Sequence, residues 1–152
     1  MLGRARIRFW LRGGWGLDFH LGRVRPGHAD IDVVASLRHR ERIRRLLVER
    51  GFSQVPGYQE PQLVLERHRE EASFLFVVRQ GGDVVVPGYE RWPFTVGAFP
   101  LAPKALAGVT CRVLSVEELL EEKLLHHEWS GRPLRPKDRE SIELLRGLRG
   151  GL

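Results

Sequence analysis

One cysteine, Cys111, in 152 residues leaves no partner for a disulfide framework and excludes a zinc site built from thiolates alone. No apolar run approaches the ~18 residues that a membrane-spanning helix needs. The N-terminal stretch alternates arginine with apolar residues and lacks the continuous apolar segment of a secretory signal, so a cytoplasmic protein with no membrane partner is the expectation. Internal repeats and low-complexity tracts are absent. Lysine is scarce: Lys104, Lys123 and Lys137 are the only three, so 22 of the 25 basic residues are arginines.

Against these absences stand 42% hydrophobic and 29% charged residues, the balance of a folded domain rather than a disordered chain. A chain of this length buries roughly 68–70% of its unfolded surface, so one core forms without covalent staples. The formal charge is +6. Guanidinium groups pair bidentately with phosphate oxygens, and the arginine excess fits phosphate recognition. It fits equally a coding bias or heat adaptation, and charge alone does not separate them.

The pattern along the chain predicts alternating strands and helices. Strands are expected at 7–11, 30–35, 63–67, 72–79, 83–86 and 109–114, with a hairpin turn at Gln80-Gly-Gly-Asp83. Ile43, Leu46 and Leu47 at helical spacing, closed by Gly51, predict a helix over 38–50. Residues 15–21 alternate like a strand but follow a Gly-Gly turn, and both helix and strand remain open there. The segment 87–108, rich in proline, glycine and aromatics, reads as an ordered wrap. Ser115-Val-Glu-Glu118 fits a capping box that opens one helix, and a second runs over 137–148. Strands alternating with helices in this way give the expected fold class, α/β (or α+β). The expected organisation is a core at 1–114 and a C-terminal helical hairpin at 115–152 packed on the same domain.

The chemistry concentrates near the N-terminus. Asp30 and Asp32 lie two apart on a predicted strand, so both carboxylates leave the same face while Ile31 and Val33 take the other. Two adjacent carboxylates repel, and a divalent cation with hard oxygen ligands, Mg2+ or Mn2+, relieves the conflict; a solvated acidic strand end is the alternative. Gly13-Gly14 after a strand lets the backbone approach a phosphate and aim its amides there, although a glycine pair alone is usually a turn. Arg23, Arg25 and His28 fall between these two features, where they can meet phosphate or orient Asp30. Lys123 and Lys137 sit on predicted helices, where a solvated face is the commoner role. The adjacent His126 and His127 diverge on a helix and read as surface.

The segment from Phe9 to Val34 resembles the nucleotidyltransferase superfamily, in particular the small bacterial branch that includes lincosamide and aminoglycoside nucleotidyltransferases. Its pattern of a glycine pair, tryptophan and aspartate, then histidine and Asp-x-Asp, is matched by Gly13, Gly14, Trp15, Asp18, Gly22, His28, Asp30, Ile31 and Asp32. Where that family usually has arginine two before the histidine, this chain has Pro26, with Arg25 beside it. Residues 84–99, 119–123 and 135–139 look like segments of uncharacterised relatives.

The resemblance implies a compact fold with a mixed central sheet flanked by helices, with helices on one side and an acidic cleft on the other, and makes 1–114 the catalytic core. The implied reaction is transfer of a nucleoside monophosphate from a nucleoside triphosphate, ATP by expectation, to a hydroxyl, releasing pyrophosphate. Asp30 and Asp32 would hold two Mg2+ (or Mn2+) ions about 3.5–4 Å apart, and Gly13 and Gly14 with Arg25 and His28 would bind the nucleotide. It also implies a third carboxylate on a neighbouring strand, for which Glu70 and Glu71 are candidates. Alternation points Glu71 with Ser73 towards the cleft and Glu70 with Phe74 and Phe76 towards the core, unless a bulge before Ala72 swaps them. Glu71 is therefore the expected base and metal co-ligand. A small, antibiotic-like acceptor is slightly favoured over tRNA or a protein of a toxin–antitoxin pair, and a non-catalytic nucleotide- or partner-binding module is the remaining alternative. With little chain left for a second domain over the acceptor, a homodimer that completes the cleft fits the length.

Overall fold

The computed structural model describes residues 2, 4–28 and 30–150, the side chains of His127 and Trp129 excepted. The elements run β1 (Phe9–Arg12), α1 (Gly13–Leu21), β2 (Asp30–Ser36), α2 (Arg40–Glu49), β3 (Ser53–Gln54), β4 (Gln62–Arg67), β5 (Glu70–Gln80), β6 (Asp83–Val85), β7 (Lys104–Leu106), β8 (Val109–Cys111), α3 (Val116–Leu124), α4 (His126–Ser130) and α5 (Pro136–Gly150). The sheet is ordered β1-β2-β5-β4-β3, with β6 pairing the far end of β5. β2 and β5 are parallel and the remaining pairs antiparallel, a mixed sheet as expected.

The two faces of this sheet bury different sets of residues. Phe74, Phe76, Val33 and Ala35 pack beneath Ile43 and Leu47 of the amphipathic α2. Val34 and Val77 on the opposite face pack with Leu17 of α1, Leu119 and Leu120 of α3, and Ile142 and Leu145 of α5. Helices therefore cover both faces, which amends the expectation of helices on one side and a cleft on the other. The cleft opens where α3 and α5 leave the N-terminal end of β2 uncovered.

Residues 13–21 form a helix. Leu17 enters one core and Phe19 the other, so α1 is buried on more than one side and its apolar residues need not follow a single stripe. The wrap at 87–108 yields β7 at its end, which pairs with β8 as a separate hairpin, so the expected strand over 109–114 stops at Cys111. At Ser115 half of the capping box forms. The Ser115 hydroxyl accepts from the Glu118 amide at 3.1 Å, but the Ser115 amide donates to the Ala98 carbonyl, and the Glu118 carboxylate accepts from the Thr95 amide. No helix among the described residues is long and apolar enough to cross a membrane.

Candidate active site

β1 runs directly into α1, and this junction brings the glycine pair to the aspartates. The β1–β2 register pairs Arg12 with Asp32, so the next residue, Gly13, begins its helix beside that carboxylate. Gly13 has φ +62°, and a Cβ there would overlap the Asp32 Oδ2. Only glycine combines that backbone with that approach. Burial pushes the Asp32 carboxyl above its ordinary value; Arg12 opposes the shift and Asp30 adds to it. Asp30 itself is exposed at the start of β2. The pair thus joins one solvated carboxylate to one whose charge the protein leaves undercompensated.

Beside the glycine turn, Asp18 is fully buried and organises its surroundings. Its carboxylate accepts from the Arg25 backbone amide at 2.8 Å and from the Arg25 Nε, and it bonds His28 Nε2. Burial raises the Asp18 carboxyl, but the hydrogen bonds from Arg25 and His28 outweigh it and hold it below the ordinary value. The His28 ring stacks on Trp15 with centroids 4.2 Å apart, and a Cβ on Gly14 would meet that imidazole at 3.0 Å. Arg25, next to Pro26, is thereby fixed against the glycine turn, its Nη2 3.4 Å from the Gly14 carbonyl.

The opposite wall comes from α3 and α5. Asp138, 2% exposed in the first turn of α5, accepts from Lys123 Nζ at 2.8 Å and from Arg135 Nε at 3.0 Å. Burial raises its carboxyl, but Arg135 and Lys123 outweigh that and leave it well below the usual carboxylate range. Lys123 and Lys137, which the sequence reads as solvated helix faces, both line a cleft of about 400 Å3. Gly13, Gly14, Arg23, Arg25, His28, Asp30 and Asp32 line the same cleft, joined by Arg135, Glu140 and Ser141. Cationic groups outnumber its carboxylates, so the expected acidic cleft is a basic one around an acidic pair.

Glu71 pairs with Asp30 across the β2–β5 ladder, and Ser73 with Asp32, in an uninterrupted register. Glu71 and Asp30 therefore share a face, whereas Glu70 alternates away. Glu71 is not among the residues lining the cleft. Among the described residues no three His, Cys, Asp or Glu side chains converge as a protein-only metal cage requires. That donor set still fits Mg2+, which is commonly held by one or two carboxylates and completes its shell with substrate phosphates and water. Of the two adjacent histidines, His126 is partly buried, and the His127 side chain lies outside the described residues.

Sequence reasoning did not assign roles to Asp18 and Asp138. The signals were present: a lone carboxylate between Leu17 and Phe19 in an apolar helix, and an aspartate in the first turn after Pro136. What the pattern lacked was the identity of their partners.

A family model described as aminoglycoside-2''-adenylyltransferase matches residues 1–145. A lincosamide resistance protein of Staphylococcus haemolyticus is 32% identical over 47 residues, 31% of this chain and 29% of that protein, so the match spans less than a third of that relative. The solution structure of the antibiotic-resistance factor ANT(2'')-Ia superposes with a TM-score of 0.78 at 19% identity, covering 99% of this chain and 84% of the other. The lincomycin-bound lincosamide adenylyltransferase LnuA gives 0.76 at 20% identity, covering 97% and 90%. At such identities the structural likeness establishes the nucleotidyltransferase fold.

Proposed function

The chain belongs to the aminoglycoside-2''-adenylyltransferase family, and from that premise we propose that it transfers a nucleoside monophosphate from a triphosphate, ATP first, to a hydroxyl of a small molecule. The observation that carries this reading is the pairing of Asp30 and Asp32 with a glycine turn and a cationic wall in one cleft.

Each group has a chemical task. The amides at Gly13 and Gly14, at the start of a nine-residue helix, donate to the β- and γ-phosphates, with Arg25 and His28 beside them. Lys123, Lys137 and Arg135 offset the remaining phosphate charge from the opposite wall. Asp30 and Asp32 are the groups that would hold Mg2+ or Mn2+, which when bound neutralises charge developing on the phosphate oxygens. Glu71 accepts the acceptor's proton. The hydroxyl oxygen then bonds the α-phosphorus, the bond from that phosphorus to the bridging oxygen breaks, and its electron pair leaves with pyrophosphate. Positioning and electrostatics supply most of the acceleration.

The test is incubation with each α-labelled triphosphate, Mg2+ or Mn2+, and separate pools of small alcohols, RNA and lysate protein. Label in the small-molecule pool, lost in Asp30→Asn, is the expected result. Label only in RNA or protein would move the acceptor to a macromolecule, and label nowhere would leave the fold as a binding module.

A further inference from the structure

A second cavity lies on the same face of the sheet as Asp32. Arg12, Asp32 and Ser73 form one cross-strand row, and Leu75 with its partner Gln62 forms the next. Arg12, Gln62 and Leu75 line this cavity, so it adjoins Asp32 one row along the strands. Its volume is about 140 Å3, close to that of the ~150 Å3 apolar cavity that admits a benzene ring.

The remaining walls are chemically divided. Val86, Tyr89, Trp92 and Phe94 from the segment after β6 present apolar and aromatic surface. α3 presents Glu118, Glu121 and Glu122. Glu122 already pairs with Arg12, at 3.3 Å. Glu118 is only 4% exposed; its carboxylate accepts from the Thr95 amide, while its backbone amide donates to the Ser115 hydroxyl. No ion pair among the described residues engages it. A carboxylate withdrawn from water without a cation is costly, and aromatic faces in the same wall favour cations.

The geometry points to this cavity as the acceptor subsite, taking an amphipathic amine whose ring or alkyl body fills the apolar wall and whose ammonium pairs with Glu118. Burial, with Glu122 and Glu121 close by, pushes the Glu118 carboxyl up to about 7. Of the two wall acids that no ion pair among the described residues engages, Glu118 and Glu121, only Glu118 is buried, and beside a mostly apolar lining it favours a cationic centre carried on a hydrophobic body, which an extended polycation lacks. The assignment rests on the nucleotidyltransferase reading for the fate of the acceptor hydroxyl, but not for the binding itself.

Calorimetric titration of the full chain without nucleotide, at pH 8, tests it with three probes. These are 2-phenylethylamine, its neutral counterpart 2-phenylethanol, and putrescine, which has charge without a ring. The amine should bind at least tenfold more tightly than either comparator. Glu118→Gln, which keeps an oxygen for the Thr95 amide, should abolish that preference, and Tyr89→Ala, a change at a largely exposed side chain, should weaken the amine several-fold. Asp30→Asn should bind the amine as the parent does while losing metal-dependent ATP binding. Equal binding of amine and alcohol, preference for putrescine, indifference to Glu118→Gln, or displacement of the amine by ATP would each overturn the assignment, the last by giving the cavity to the nucleobase. Intact amine preference with no label transfer would sink the nucleotidyltransferase reading alone.

Discussion

Asp30 on β2 and Glu71 on β5 stand opposite one another across a parallel ladder, and their side chains leave the same face of the sheet. This relation gives the proposed acceptor base a defined place beside Asp30, with the Asp32–Ser73 row between it and Leu75 of the second cavity. Glu71→Gln should lower label transfer by roughly 10²–10⁴-fold, the range for losing a general base, and Glu70→Gln should cost little. Single-turnover transfer rates with saturating ATP separate the two. A larger loss for Glu70→Gln would remove Glu71 from the mechanism.

Gly13 and Gly14 are expected to fail differently. Gly13→Ala puts a side chain into a left-handed backbone position, at roughly 1–2 kcal/mol, and drives its Cβ into the Asp32 carboxylate. The rise in Tm produced by Mg2+ and ATP should disappear in this variant. Gly14→Ala keeps an ordinary backbone but presses on the His28 ring at 3.0 Å, with Arg25 Nη2 at 3.9 Å, so the protein should still melt cooperatively and bind ATP less tightly. Thermal melts with and without Mg-ATP report both; an undiminished ligand shift in Gly13→Ala would detach the glycine turn from the nucleotide.

Asp18 acts through Arg25 and His28. Removing one member of a buried charged set leaves the others uncompensated, and Asp18→Asn should lower stability by about 3–5 kcal/mol. For a chain of this size that is a fall in Tm of the order of 10 °C. Urea unfolding measures it, and a loss below 1 kcal/mol would show that Asp18 is not what holds Arg25 in place.

Glu118 and Asp138 should oppose each other in pH. Glu118 titrates near 7 when folded, above its ordinary value of 4.5, so the folded protein holds the extra proton between those values. Its contribution is full below about pH 4.5 and is lost as pH rises to about 7, a loss of up to about 3 kcal/mol that Glu118→Gln should remove. Asp138 is depressed, so its contribution is present above its ordinary 3.8 and is lost as pH falls below that. Asp138→Asn should flatten the acid side alone. Urea midpoints from about pH 1.5 to 8 for the three proteins test both signs, and parallel curves would refute them.

That the glycine turn and the aspartate pair meet was legible because these elements are close in sequence. Gly13-Gly14, His28 and Asp30-x-Asp32 lie within twenty residues, and strand alternation alone gives the aspartates a common face. The choice between Glu70 and Glu71 followed from the same alternation, since Phe74 and Phe76 had to enter the core. Residues 15–21 were ambiguous because a helix buried between two cores carries no single apolar stripe to recognise.

The sequence by itself determined which side chains could do this chemistry and how those on one strand are phased, because period-two geometry is local. Only the tertiary structure decided that Lys123 and Lys137 enter the cleft, that Asp138 fixes Lys123 there, and that Glu118 abandons half of a capping box for the Thr95 amide. Those outcomes depend on how α3 and α5 pack over Val34 and Val77, and on the chain from 87 to 108 closing against them. Contacts between residues so far apart along the chain follow from which surfaces bury one another, and no local spacing encodes that.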